Sequence, residues 1–402
     1  LILGILSGAF CFPIRPESVT FAVIYLSHAC LMNKIAFSLF ISLIQLIPFT
    51  STRAQGLFRG YENLFLPEKH YVVYRTNDAM KIDGKADEHA WKKAEWTDNF
   101  ADIEGAAKPF PFYPTRAKML WDKNNLYILA ELTEPNVWSY YETRDQIVYH
   151  ENDFEVFIDP DRDTRNYYEF EMNAANTLFD LFLPKPYRNG GAPQIDWNAA
   201  GFKSAVSVDG TLNNPTDVDR SWIVEIAIPF KALDKEPTDQ TPSDGTTWKI
   251  DFSRVEWQTE IINGKYEKKK DPETGRFLPE NNWVWSPTGE INMHVPERWG
   301  LVQFSESPVN GKRVKFQVPP DEELAKYLWL VYYKQKDFRR AHGNYASSLS
   351  DLSMPDAFKT GSGIAVNLEL KTGPGTFSVV LTTGDGRVLS LNDEGFIQKS
   401  HF

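Results

Sequence analysis

Cysteine is almost missing from this chain: there are two, Cys11 and Cys30, both near the N-terminus. With the first 54 residues removed, as argued below, the mature chain would have none. That excludes disulfides, thiolate metal sites and cysteine nucleophiles. The core must then hold the fold unaided, and roughly 350 residues suffice for that, arranged as more than one domain. A surplus of positive charge is also lacking, and the net charge of -11 argues against nucleic acid as a partner. There is no nucleophile elbow, phosphate-binding loop or paired-histidine metal motif. His70, His89, His150, His294 and His342 are scattered singly.

Long apolar runs are confined to the start. The first methionine is Met32; Met32-Asn-Lys34 is a short basic region, Ile35–Phe49 an apolar core, and Thr52 and Ala54 the small residues of a cleavage site. This is the layout of a secretory signal peptide cut after Ala54, with 1–31 as upstream leader. The apolar core is short for a membrane span, so the mature chain is expected to have no stable one. The alternative is an uncleaved anchor, which the apolar runs Leu1–Phe12 and Val19–Leu31 keep open. An exported product at the periplasm, cell surface or outside follows from the first reading.

What is present is an acidic strand, His150-Glu-Asn-Asp-Phe-Glu-Val-Phe-Ile-Asp159. Strand side chains alternate between faces, which groups Asn152, Phe154, Val156 and Ile158 against Glu151, Asp153 and Glu155. The run Tyr168–Asn173 alternates likewise, Glu169 and Glu171 pointing outward. Paired as a hairpin, the two runs put five carboxylates on one side. Like charges facing each other destabilise a sheet, so a cation, a neighbouring Arg or Lys, or a hydroxyl-rich ligand should offset them, unless the face is simply solvated.

Elsewhere, Thr115–Trp121 and Leu126–Leu132 flank the turn Asp122-Lys-Asn-Asn125, and Ala205–Val208, Trp222–Ile228 and Trp248–Trp257 also read as strands. Asp87 is placed to cap a short helix carrying Ala90, Trp91 and Ala94. Many strands at hairpin spacing with few helices predict a mainly β, antiparallel β-sandwich of immunoglobulin-like or jelly-roll-like type. The expected domain division is 55–71 as lead-in, 72–305 as the sandwich, 306–320 as linker and 321–402 as a small C-terminal helix-plus-β-meander unit. In that unit Asp321–His342 is the helix, acidic at its start and basic at its end as the macrodipole favours, with Leu324, Tyr327, Leu328 and Val331 as its apolar stripe. Three short strands, Gly363–Leu370, Phe377–Thr382 and Val388–Leu391, follow it.

The segments Ile82-Asp-Gly with Trp91, Glu155-Val-Phe-Ile-Asp159-Pro, Trp222-Ile-Val-Glu-Ile-Ala-Ile-Pro229-Phe, Trp285-Ser-Pro and Pro296-Glu-Arg-Trp-Gly300, in that order, resemble the family 9 carbohydrate-binding modules. The resemblance covers about 72–305. It implies a calcium-containing β-sandwich that holds poly- or oligosaccharide in an aromatic slot and is appended to xylan- or glucan-degrading enzymes. By the same resemblance, one of the slot's two Trp walls falls on Tyr149 and the other near Met293. The slot's acidic hydrogen-bonding residue falls on Glu155 and its Arg near Glu171. A Met cannot stack as an indole does. Either Trp283, Trp285 or Tyr168 rebuilds the slot, or the sugar specificity differs, or binding is lost.

For a metal, Asp159, Asp161 and Asp163, followed by Asn166, offer alternating oxygen ligands in a loop turned by Pro160, a pattern suited to calcium. Asp102, Glu104 and Asp180 are reserve ligands. The reading is a non-catalytic binding protein. One alternative is a glycoside hydrolase using Asp153 and Glu155, about 7 Å apart on one strand face. The other is a haem module with axial ligands among Met119, Met172, Met293, His150 and His294.

Overall fold

The alternation seen at 150–159 recurs through a run of strands, and their inward residues form one apolar layer. The computed structural model describes residues 56–235 and 241–400; the leader and signal-peptide reading of 1–54 lies outside them. In chain order come β1 (His70–Arg75), the short helix α1 (His89–Lys93), β2 (Ala101–Asp102), β3 (Thr115–Trp121) and β4 (Asn125–Thr133). Then follow β5 (Asp153–Asp159), β6 (Tyr167–Asn173), β7 (Leu178–Leu183), β8 (Lys203–Asp209) and β9 (Ser221–Pro229). The series closes with β10 (Thr247–Glu256), the hairpin of β11 (Thr259–Ile262) and β12 (Lys265–Lys268), β13 (Asn281–Val284) and β14 (Gly300–Pro308).

All but β11 and β12 belong to one 12-stranded sheet in the order β7-β6-β5-β10-β14-β1-β3-β4-β9-β8, with β13 beside β10 and β2 beside β13. The sheet doubles over at β1. His70–Tyr74 run parallel to β14, and the ladder slips at Tyr74/Arg75, where Tyr74 and Arg75 pair in parallel with β3. The sandwich is therefore antiparallel everywhere except at this join, a departure from the fully antiparallel expectation. Its partner β14 arrives from the far end of the sandwich, so no hairpin turn dictates direction there.

Phe154, Val156, Ile158, Phe170 and Met172 of one layer meet Met119, Trp121, Ile128, Val224 and Ile226 of the other. Each large apolar side chain buried in this way contributes about 1.5–3 kcal/mol. The Ile82-Asp-Gly segment is tied down from β9. Glu225 accepts hydrogen bonds from the backbone N–H of Asp83 and Gly84, both at 3.0 Å, and from Trp91 Nε1 at 2.9 Å. Gly84 is required there, since its φ is +79° and a Cβ would press on the Val206 backbone.

The C-terminal unit is α2 (Pro320–His342) under a meander of β15 (Ala357–Lys359), β16 (Ala365–Gly373), β17 (Thr376–Thr383), β18 (Val388–Asn392) and β19 (Ile397–Ser400). Pro320 opens the helix and Gly343, left-handed at φ +81°, ends it. Leu324, Leu328 and Val331 face Val379, Leu381 and Leu389, and Leu57, Phe58, Leu64 and Phe65 of the lead-in pack against the same core. Ion pairs join this unit to the sandwich, Arg162 to Glu322 at 2.5 Å and Lys249 to Glu322 at 3.4 Å, and Tyr333 Oη of α2 donates at 2.5 Å to Glu297, which the sandwich's own Arg188 also pairs. The segment read as a linker lies along the sandwich, where Val309 and Val314 pack with Tyr74 and Trp91. Among the described residues no helix is long and apolar enough to cross a membrane.

Candidate functional site

The register of β10, β5 and β6 decides what the outer face of the first layer presents. Glu155 stands directly opposite Glu171 on one side and Ser253 on the other, while Asp153 faces Asn173 and Phe157 faces Glu169. With Phe154, Val156 and Ile158 committed to the core, Asp153, Glu155 and Phe157 point outward, as do Glu169 and Glu171. Glu151 leaves this group. It precedes the strand, and its carboxylate accepts from Ser139 Oγ and the Tyr140 backbone N–H, both at 2.8 Å.

Over the carboxyls lies a groove of about 490 Å³, lined by Tyr149, Glu155, Glu169, Glu171, Tyr187, Glu280, Met293 and His294 among others. That volume is in the range of small-molecule sites. Tyr149 and Tyr187 stand on its rim, 42% and 44% exposed, with the apolar side chains of Ile147, Ile195 and Ile291 also projecting to solvent. Tyr149 is fixed through its backbone. Its N–H donates to Glu171 at 3.0 Å and its carbonyl accepts from Trp257 Nε1 at 3.0 Å. Tyr187 sits on a tight turn ended by Gly190, its ring edge-on to His294 at 4.4 Å. Burial and then the nearby Arg188 push the His294 imidazole down to about 4, so it is neutral at ordinary pH.

Burial disfavours the charged form of these crowded carboxyls. Burial, against the pull of the Ser253 hydroxyl, raises Glu155 to about 7. Burial and then its carboxylate neighbours drive Asp153, Glu169 and Glu171 well above the usual range. The groove lining contains no Lys or Arg among the described residues. On this sheet face two buried carboxyl oxygens have no hydrogen-bond partner, Asp153 Oδ2 and, in the groove itself, Glu169 Oε2.

Of the residues singled out from sequence, Tyr149, Glu155, Glu171 and Met293 meet at the groove. Trp283 and Trp285 do not. Trp283 is opposite Arg254, hence on the inner side of the sheet, edge-on to Phe112 at 4.7 Å. Trp285 lies 5.8 Å from Phe252 in the core and is capped by Gly300, where any Cβ would strike its ring. Tyr168 is buried against Trp197. None of the three rings can form a slot wall. The aromatic that does reach the groove is Tyr187, which sequence reading passed over; its signal was a tyrosine two residues before Asn189-Gly190. The haem alternative loses Met119 and Met172, both in the core.

Two carboxylate groups are close enough to share a cation, Asp153 with Glu155 and Glu171, and Asp159 with Asp161 and Asp163; within each, the oxygens lie within 4.8 Å of one another. In the second, Asp159 accepts from the N–H of Arg162 and Thr164 at 3.0 and 2.9 Å, and Asp163 from that of Arg165 at 2.7 Å. These bonds hold the loop in shape, and the donor set is all oxygen, as hard cations require. The reserve ligands are engaged elsewhere: Asp102 accepts from Glu104 N–H, Glu104 pairs with Lys108, and Asp180 pairs with Arg144.

Residues 82–278 match the model of the carbohydrate family 9 binding domain-like family. Endo-1,4-beta-xylanase A of Thermoanaerobacterium saccharolyticum is 30% identical over 166 residues, 41% of this chain and 11% of that protein. Exoglucanase XynX of Acetivibrio thermocellus is 29% identical over 153 residues, 38% of this chain and 12% of that protein. The chain thus spans only 11–12% of the length of these relatives. A family 9 carbohydrate-binding module from Caldicellulosiruptor kristjanssonii, solved in complex with glucose, aligns with a TM-score of 0.37 and 17% identity over 62% of this chain and 100% of that chain. Residues 82–278 of this chain belong to the carbohydrate family 9 binding domain-like family.

Proposed function

We propose that this chain is an exported, non-catalytic carbohydrate-binding protein that holds β-1,4-linked backbones of the xylan or glucan type during their breakdown. The observation that carries the reading is the groove itself: two half-exposed tyrosines over a floor of hydrogen-bonding carboxyls, inside the family-matched segment. Flat aromatic faces pack on sugar rings, and the acid groups fix hydroxyls. Hydrolysis is the weaker reading on geometric grounds. A glycosidase needs two carboxyls flanking the bond, roughly 5–9.5 Å apart, whereas Asp153, Glu155 and Glu171 share one sheet face and crowd within 4.8 Å.

Calorimetric titration with xylo- and cello-oligosaccharides tests the proposal. Saturable heat is expected, and Tyr149→Ala should weaken binding about tenfold, the equivalent of one aromatic contact. Folded protein that takes up none of these sugars would remove it.

Calcium is assigned in this proposal to Asp159, Asp161 and Asp163. Calcium at about 100 times its dissociation constant should stabilise the fold by about 2.7 kcal/mol over chelated protein. Asp161→Asn should abolish the difference. Identical melting with calcium and with chelator would discard the ion.

A further inference from the structure

The groove is acidic in a way that a neutral sugar does not use. Four glutamates line it, Glu155, Glu169, Glu171 and Glu280, with no Lys or Arg among the described lining residues. The nearest basic groups are engaged elsewhere: Arg188 is bonded to Glu297 at 2.7 Å, and Lys268 donates to the His150 carbonyl at 2.9 Å while lying over the Trp257 ring. His294 faces the groove as a neutral imidazole. One groove carboxyl oxygen, Glu169 Oε2, is buried without a hydrogen-bond partner, the residue being 4% exposed, and His294 Nε2 lies too far off, at 3.9 Å, to serve it. Buried acceptors of this kind are costly unless something donates to them.

We infer that the groove takes a cationic sugar, a β-1,4-linked backbone bearing a protonated amine in place of a hydroxyl, with the ammonium received by Glu155, Glu169 and Glu171 beneath the Tyr149 and Tyr187 rings. An ammonium has three donors and no acceptor, which matches a lining of carboxyl acceptors. Its charge is also attracted by the faces of tyrosine rings. The ligand's positive charge then offsets the like charges that the strand register sets opposite each other at Glu155 and Glu171. A bare metal ion fits less well. It would occupy the carboxylate corner and leave most of a 490 Å³ groove and its apolar rim without a role.

This inference rests on the proposed carbohydrate reading and narrows its ligand class. The test compares three trimers in one calorimetric series at about pH 6, below the range in which amines of this kind lose their proton. They are the β-1,4-linked trimer of glucosamine, its N-acetylated form, and cellotriose. Amine, acetamide and hydroxyl then differ at one carbon of the same backbone. The glucosamine trimer should bind about tenfold more tightly than either neutral trimer, the difference between a charge-assisted and a neutral hydrogen bond. Glu171→Gln and, separately, the rim variant Glu280→Gln should each weaken the glucosamine trimer more than cellotriose and so narrow that preference. Unchanged melting temperatures would establish that both variants fold. Equal affinity for all three trimers would overturn the cationic-ligand inference and leave carbohydrate binding standing. Binding of none would remove both. Calcium uptake lost in Glu171→Gln, with no amine preference, would overturn the inference in favour of an ion.

Discussion

Replacing Arg254 by alanine should remove about 3–5 kcal/mol of stability, read as a lowered urea midpoint at unchanged slope. The guanidinium is fully buried and uses every edge of its fork. It donates to Glu134 at 2.7 Å, to Glu256 at 2.8 and 3.1 Å, to Thr115 Oγ1 at 3.0 Å and to the Thr133 carbonyl at 2.9 Å, with the Trp283 ring 5.3 Å away. Without it Glu134 and Glu256 confront each other in the interior. Burial and then Glu134 already raise Glu256 well above the carboxylate range despite the arginine. Lysine would not rescue the site, because a point charge cannot span both carboxylates and two neutral acceptors. A triple change, Arg254→Met with Glu134→Gln and Glu256→Gln, should recover most of the loss by removing the charges altogether. A single Arg254→Ala variant within about 1 kcal/mol of the parent would refute this account.

The same network reaches the groove. Glu134 accepts from Asn152 at 3.2 Å, Asn152 accepts from the Trp257 N–H at 2.8 Å, and Trp257 Nε1 donates to the Tyr149 carbonyl. Arg254→Ala should therefore also loosen the Tyr149 wall, weakening sugar binding in protein that is still folded at low temperature.

Strand alternation made the acidic face legible before any coordinates. The split of Phe154, Val156 and Ile158 from Asp153 and Glu155 depends only on the period of a strand, and the pairing of Glu155 with Glu171 follows once the two runs are joined by a short loop. The fate of the tryptophans was not legible. β13 is only four residues long, too short for its own pattern to declare a face, and Trp283 turns inward because it pairs with Arg254 of β10. Tyr187 lies on a turn, where periodicity carries no information, and only the tertiary packing against His294 brings it to the groove. The parallel pairings of β1 were hidden for a related reason, since its partner β14 is contributed from the other end of the sandwich. In the meander, the edge strands β15 and β19 are three and four residues long, and they escaped a reading that found the longer inner strands. The neutralisation of the acidic face was open in the sequence among ion, base and ligand. Burial bears on it as well, because it disfavours the charged form of each of these carboxyls.

Stability should peak at mildly acid pH, near 4–5, and fall away on both sides, because two sets of carboxyls act in opposite senses. Glu68 belongs to the first set. It sits where the lead-in, the sandwich and α2 meet, paired with Arg298 at 2.8 Å and Lys326 at 3.0 Å. Burial opposes its ionisation, but Lys249, Arg298 and Lys326 outweigh burial and hold it at about 2 against an ordinary value of 4.5. A depressed folded-state value means stability that is present above about 4.5 and lost as pH falls toward 2, about 3 kcal/mol in all. Asp321 is lowered too, by Lys399 and Arg162 against burial, and reinforces the same acid limb. Glu155 belongs to the second set. Its value of about 7 means the folded state holds a proton that the unfolded chain releases, so stability grows as pH drops from about 7 to 4.5. Urea midpoints from pH 2.5 to 7.5 should show the maximum, and Glu68→Gln should flatten the acid limb while lowering stability at neutral pH. Midpoints that keep rising to pH 2.5, or an acid limb untouched in Glu68→Gln, would mean that the charges between sandwich and C-terminal unit contribute nothing to holding them together. With the acid limb flattened in Glu68→Gln, the stability lost at low pH registers the undocking of α2, since Arg298 and Lys326 reach Glu68 from opposite sides of that contact.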